Sequence, residues 1–242
     1  LLLTVWKRPA ILQALRNLHA DIGHFRRDSQ LHTPRALFLN VVLALPGAIL
    51  LASIGFMLQA GNQGHTLEIG QAFLGMAKVW LVFYCAYRIL APNGVALLHF
   101  RWPRAQVAFL QQNIRSLGLV ALLLTVIVTV AEAQPAALSE DVIGIVLLMI
   151  SLLMLSWIMG RLVFHRYSSD NTSFFRRLIG LVVVLLPLLF AVALVSGYYY
   201  TALKLSGRLL DTLSLVLIWI LLEAVLVRGL ALAARRLAWK RA

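Results

Sequence analysis

Apolar residues in this chain run in unbroken blocks separated by short polar segments, many of them basic. A helix that crosses the hydrocarbon of a bilayer needs about 20 consecutive apolar residues, roughly 30 Å at about 1.5 Å per residue. Six blocks reach that length, at residues 36–59, 69–90, 116–133, 142–164, 178–199 and 208–227. Residues 1–6, LLLTVW, read as the end of a preceding span. The pattern predicts an all-α fold: a polytopic transmembrane helical bundle whose short connections arrange the spans as helical hairpins. No initiator Met and no signal-peptide pattern opens the chain, so a piece of a longer protein is expected.

Residues 7–35 carry a different periodicity. From Pro9, PAILQALRNLHADIGHF places Ile11, Leu12, Leu15, Leu18, Ile22 and Phe25 on one helical stripe, with Arg16, His19 and Asp21 mostly off it. A proline in the first turn suits a helix start. The segment reads either as an amphipathic helix lying along the inner interface or as a helix docked on another domain. Residues 92–115 also carry interfacial features, with Phe100 and Trp102 flanking charges, and Pro103 argues against one continuous helix there.

Composition changes this picture only through charge. The chain is 61% apolar yet carries 22 Lys and Arg against nine acidic residues, a formal net charge of +13 and a pI near 11.1. A nucleic-acid binder keeps its apolar residues in short runs and spreads its cations over a solvated face, which this chain does not do. Segments 7–35, 88–115, 161–177 and 228–242 hold six, four, four and five of those 22 cations. The alternate loops 60–68, 134–141 and 200–207 carry only Lys204. Basic loops resist export during insertion, so both flanks of the six spans are expected in the cytoplasm. The segment 228–242 reads as a basic cytoplasmic tail. Arg26, Arg27, Arg176, Arg177, Arg235 and Arg236 are candidate contacts for lipid headgroups, each contributing on the order of 1 kcal/mol near an anionic surface. Membrane lipids are the expected partners, and nucleic acid is not.

An ionisable group inside a span is costly and therefore a functional candidate. Four qualify: Lys78, Arg208, Asp211 and Glu223. Arg208 and Asp211 are three apart and able to neutralise each other. Glu223 lies about 21 Å into its span counted from Leu209, with no cation three or four residues away. A Lys78–Glu223 bridge is conceivable, as are separate positions in contact with water. Pro46 and Pro187 sit mid-span in VVLALPGAILLASIG and VVVLLPLLFAVALVSG and are candidate helix kinks; the shared pattern reads as a weak repeat or as the ordinary tolerance of membrane helices for proline. The spans contain no GxxxG. No HExxH, GxSxG, phosphate loop or CxxC is present, the histidines lie singly, and Cys85 is the one cysteine. No enzyme, metal or cofactor is expected.

RRDSQLHTPRALFLNVVLALP, YRILAPNGVALLHF, SGYYYTALKLSGRLLDTLSLVLIWILLEAVLV and RGLALAARRLAWKRA resemble the membrane region that precedes the pore domain in the large MscS-like mechanosensitive channels of bacteria, of the MscK and MscM types. The resemblance covers essentially the whole chain and does not separate the two types. It implies a heptameric inner-membrane channel that opens under tension for osmotic protection, with a large periplasmic region before this chain. A pore helix that passes ions and a cytoplasmic vestibule would follow it. The six spans would be outer sensor, or paddle, helices, and no pore residue of the family maps onto this sequence. The competing expectations are a proton- or substrate-coupled transporter centred on Lys78 and Glu223, and a structural membrane anchor.

Overall fold

The computed structural model describes residues 7–20, 31–61, 64–133, 142–167 and 174–241. Among them are eight helices and no strands: α1 (Arg8–Ala20), α2 (His32–Ala60), α3 (Gly64–Ile89), α4 (Val95–Leu98), α5 (Arg104–Ala133), α6 (Val142–Tyr167), α7 (Phe174–Val195) and α8 (Tyr199–Arg241). Six of them, α2, α3, α5, α6, α7 and α8, are long and apolar enough to cross a membrane. The expected all-α transmembrane bundle is therefore the observed fold.

Several helices outrun the apolar blocks that announced them. Helix α5 starts at Arg104, directly after Pro103, well before the expected span at 116. Helix α8 runs 43 residues, about 65 Å at about 1.5 Å per residue, and carries the segment expected as a basic tail as its own continuation. Hydropathy marks the stretch buried in hydrocarbon, whereas helix ends are set by caps and breakers, and neither Pro nor a turn motif interrupts 199–241. The turn between α7 and α8 is three residues long. Tyr198 N–H donates to the Ala193 carbonyl at 2.9 Å and Gly197 N–H to the Leu194 carbonyl at 3.1 Å. This is a Schellman cap, with Gly197 at φ +89 in the left-handed region that only glycine adopts without strain.

The chain divides into two compact units: Leu1–Leu50, Trp80–Ile114 and Ser214–Ala242 form one, Leu51–Val79 and Arg115–Leu213 the other. In the second unit, the buried positions Leu117, Val120, Ala121, Leu124, Ile127 and Val128 of α5 recur every three or four residues, as do Leu148, Ser151, Leu152, Leu155, Ile158 and Met159 of α6. Helices α6 and α7 pack along one another as a hairpin. In the first unit, Leu15 of α1 is 5% exposed, so the amphipathic helix buries part of its stripe within the chain while Arg16 faces out. The helix ends at Ala20, and the stripe positions Ile22 and Phe25 lie outside the described residues. The elbow between α3 and α5 is built around Asn93 and Gly94. Asn93 takes a left-handed φ of 62, and a Cβ at Gly94 would stand 2.7 Å from the carbonyls of both Ile89 and Ala91.

Candidate functional site

Polar side chains within the spans mostly turn back on their own helix. Asn40 donates to the Ala36 carbonyl at 2.8 Å, Asn113 to Phe109 at 2.8 Å, Thr125 to Ala121 at 2.7 Å, Ser151 to Leu147 at 2.7 Å and Ser206 to Ala202 at 2.6 Å. Each satisfies itself at the i−4 carbonyl, as a hydroxyl or amide in hydrocarbon must when no water is near.

Other polar links among the described residues join separate elements. In the first unit, Thr33 Oγ1 and His99 Nδ1 are 3.1 Å apart, both side chains buried, tying the first turn of α2 to the elbow after α4. In the second unit, Ser156 Oγ of α6 donates to the Val184 carbonyl of α7 at 2.9 Å. Also in the second unit, Lys204 Nζ of α8 lies 3.0 Å from Glu132 Oε1 at the end of α5, with the Tyr200 ring centroid 6.0 Å from the ammonium. Side-chain exposures of 48% and 34% make this last link a partly solvated ion pair. A pair at two helix ends fastens the α5–α8 seam, where the helices lie so close that a Cβ added at Gly207 would stand 3.3 Å from Val128 Cγ1.

Several glycines sit at close contacts between helices. In the second unit, a Cβ at Gly55 of α2 would stand 2.8 Å from the Gly70 carbonyl of α3, and one at Gly70 would stand 2.7 Å from the Gly55 carbonyl. A Cβ at Gly75 of α3 would stand 2.8 Å from Thr125 Cγ2 of α5. In the first unit, a Cβ at Gly47 would run into the Trp80 ring, which stacks on Tyr84 with centroids 5.0 Å apart.

The residues singled out by sequence fall as follows. Lys78, Arg208, Asp211 and Glu223 are all exposed, and none forms an ion pair among the described residues. Arg208 and Asp211 do not neutralise each other despite their i, i+3 spacing; both side chains remain turned outward. Lys78 belongs to the second unit and Glu223 to the first, and neither is ion-paired among the described residues. Pro46 is half-buried and Pro187 buried, and α2 and α7 each continue through their proline. Arg177 is exposed; Arg26 and Arg27, and the side chains of Arg176, Arg235 and Arg236, lie outside the described residues. Among the described residues, no three His, Cys, Asp or Glu side chains come together to hold a metal ion. The links at Thr33–His99, Ser156–Val184 and Lys204–Glu132 were not among the expected sites.

A helical bundle with apolar outer faces and few polar cross-links is the build of an integral membrane domain. The family model described as mechanosensitive ion channel inner membrane domain 1 matches residues 1–242, and the chain belongs to that family. It is 32% identical over 98% of its length to the mechanosensitive channel MscK of Escherichia coli, covering 21% of that protein. It is 24% identical over 99% of its length to the miniconductance mechanosensitive channel MscM of the same organism, covering 22% of it. A MscS family protein of Haemophilus influenzae is 25% identical over 96% of the chain, with 21% of its own length covered. The chain thus spans about a fifth of the length of the curated relatives it matches. No solved structure matches it significantly.

Proposed function

We propose that these six spans are the lipid-facing sensor region of a bacterial ion channel that opens under membrane tension for osmotic protection, with the pore outside this chain. The observation that carries the reading is the self-satisfied polar chemistry of the spans: Asn40, Asn113, Thr125, Ser151 and Ser206 each bond their own helix and so provide no polar lining for ions. Large apolar side chains face outward along α6, α7 and α8. Tension favours a state only if that state occupies more membrane area. Hairpins joined by a few polar links are parts that can separate or tilt at modest cost. The relatives' names support a channel, and a heptameric assembly is what the family resemblance implies. The basic loops favour the inner membrane with both flanks of the spans in the cytoplasm. By this reading the region catalyses no reaction.

Patch-clamp recording tests the proposal. Residues 1–242 alone, inserted in liposomes, should pass no stretch-activated current, whereas the complete protein should. Deleting the spans from the complete protein should shift the tension threshold and leave a conducting pore. Stretch-activated openings from residues 1–242 alone would sink the reading, and an unchanged threshold with unrelated spans in their place would reduce the region to an anchor. Sidedness is read by cysteines replacing Gly61 and Ala133, which should react with an impermeant thiol reagent from outside, and Gln106, which should not.

A further inference from the structure

Helix α1 and the first turns of α2, both in the first unit, border a groove of about 390 Å³. Leu18 supplies one wall, and Pro34, Arg35, Phe38 and Leu39 supply the other. Apart from the Arg35 guanidinium these side chains are hydrocarbon. Phe38 is 67% exposed and Leu18 and Leu39 are half-buried, so the groove opens at the surface of the chain. Arg35 is exposed and forms no ion pair among the described residues. The first turn of α2 contains no acidic residue, so the positive end of the helix dipole adds to the Arg35 charge. In the same turn, His32 Nδ1 is shielded from solvent and has no hydrogen-bond partner among the described residues.

We propose that this groove binds one anionic membrane phospholipid, with an acyl chain between Leu18 and the Phe38–Leu39 wall and the phosphate at Arg35. The charge pattern selects this occupant. A single cation at the mouth of a hydrocarbon slot matches an amphiphile with one phosphate on alkyl chains, whereas free phosphate leaves the slot empty. Exposed Lys7, Arg8 and Arg16 along α1 concentrate anionic lipid nearby and favour it over zwitterionic lipid. Binding in this groove does not depend on gating.

The test uses the complete protein in nanodiscs containing phosphatidylglycerol with a photoreactive group at the end of one acyl chain. Labelled peptides should contain Leu18 or residues 34–39, and unlabelled phosphatidylglycerol should compete better than phosphatidylcholine. Arg35→Gln should keep the acyl labelling but cut the preference for phosphatidylglycerol about fivefold. Leu39→Trp, which fills the slot, should remove the labelling, while Arg104→Gln should change neither. Labelling spread equally over the exposed residues of α6 and α7, or unaffected by both groove variants, overturns the site. Competition by inorganic phosphate alone overturns it in favour of a free-anion site. Arg35→Gln is a surface change and keeps the test decisive if Leu39→Trp fails to fold. Because labelling reads binding, it can fail while the sensor reading stands, and the reverse.

Discussion

Ser156 on α6 donates its hydroxyl to the Val184 carbonyl of α7 at 2.9 Å, three residues ahead of the buried Pro187. The bond lies one residue from the carbonyl that proline leaves without its helical donor. Pro187 has no N–H to offer the Val183 carbonyl, and its ring crowds that turn of the helix. The serine hydroxyl gives the backbone next to this weakened turn a partner from a neighbouring helix. The same bond closes the α6–α7 hairpin.

Replacing Ser156 by Ala should therefore loosen this hairpin by about 1 kcal/mol, the scale of an interhelical hydrogen bond in a membrane. Ser156→Thr should restore most of it. Ser151→Ala is the comparison, because the Ser151 hydroxyl bonds only its own helix at Leu147. Unfolding of the three variants in mixed micelles measures the difference. Equal losses for Ser156→Ala and Ser151→Ala would show that the cross-link contributes nothing beyond the hydroxyl itself.

The second prediction rests on the α2–α3 crossing. Gly55→Ala and Gly70→Ala each push a methyl against the opposite carbonyl, at 2.8 and 2.7 Å, and a backbone cannot step aside as a side chain does. Each should cost about 1–3 kcal/mol, the range for overpacking. Gly229→Ala on α8, where nothing lies within 4 Å, should be neutral or slightly stabilising because alanine favours helix. A melting-temperature series on the purified protein decides it, and tolerance of alanine at both crossing positions would mean that the helices do not meet there.

The contrast between spans and crossings shows what the residue pattern carries. Six spans were legible because hydrocarbon thickness imposes a length of apolar sequence, as in VIGIVLLMISLLMLSWIMG. Helix ends were less so: Arg104–Arg115 and the segment beyond Val227 are helical for reasons that hydropathy does not register. The close crossing escaped notice because GxxxG requires both glycines on one helix, whereas here Gly55 and Gly70 come one from each. The polar links were hidden for a related reason. Thr33 and His99 are separated by 66 residues and Ser156 and Val184 by 28, so only the packing of the helices brings them together. Lys204 was legible as the lone cation of the sparsely charged alternate segments, but its partner Glu132 lies at the end of another span.

That ion pair gives the third prediction. Both side chains are partly solvated, so a double-mutant cycle of Glu132→Gln and Lys204→Gln should yield a coupling of a few tenths to about 1 kcal/mol at low salt. The coupling should shrink in high salt, since partly exposed charges are screened within about 10 Å at 0.1 M. Exchanging the two residues, Glu132→Lys with Lys204→Glu, should recover stability that either single reversal loses. A cycle that closes to zero at low salt, or an exchange worse than both single reversals, rules out a fastening role.

Glu223 carries the fourth prediction. Its helix is the least covered of the six spans, with 6% of its apolar window buried, and Glu223 is exposed among the outward-facing Trp219, Leu222, Leu226 and Val227. Placing a carboxylate there against acyl chains costs several kcal/mol, because hydrocarbon offers it no partner. In the complete protein, position 223 should face water or another part of the assembly. A spin label on Glu223→Cys should then collide with a water-soluble nickel relaxant more readily, or with oxygen less readily, than one on Trp219→Cys or Leu226→Cys. Glu223→Gln, which keeps the shape and removes the charge, should shift the tension threshold modestly and preserve assembly. A label at 223 with the high oxygen and low nickel accessibility of a lipid-facing site would refute the placement.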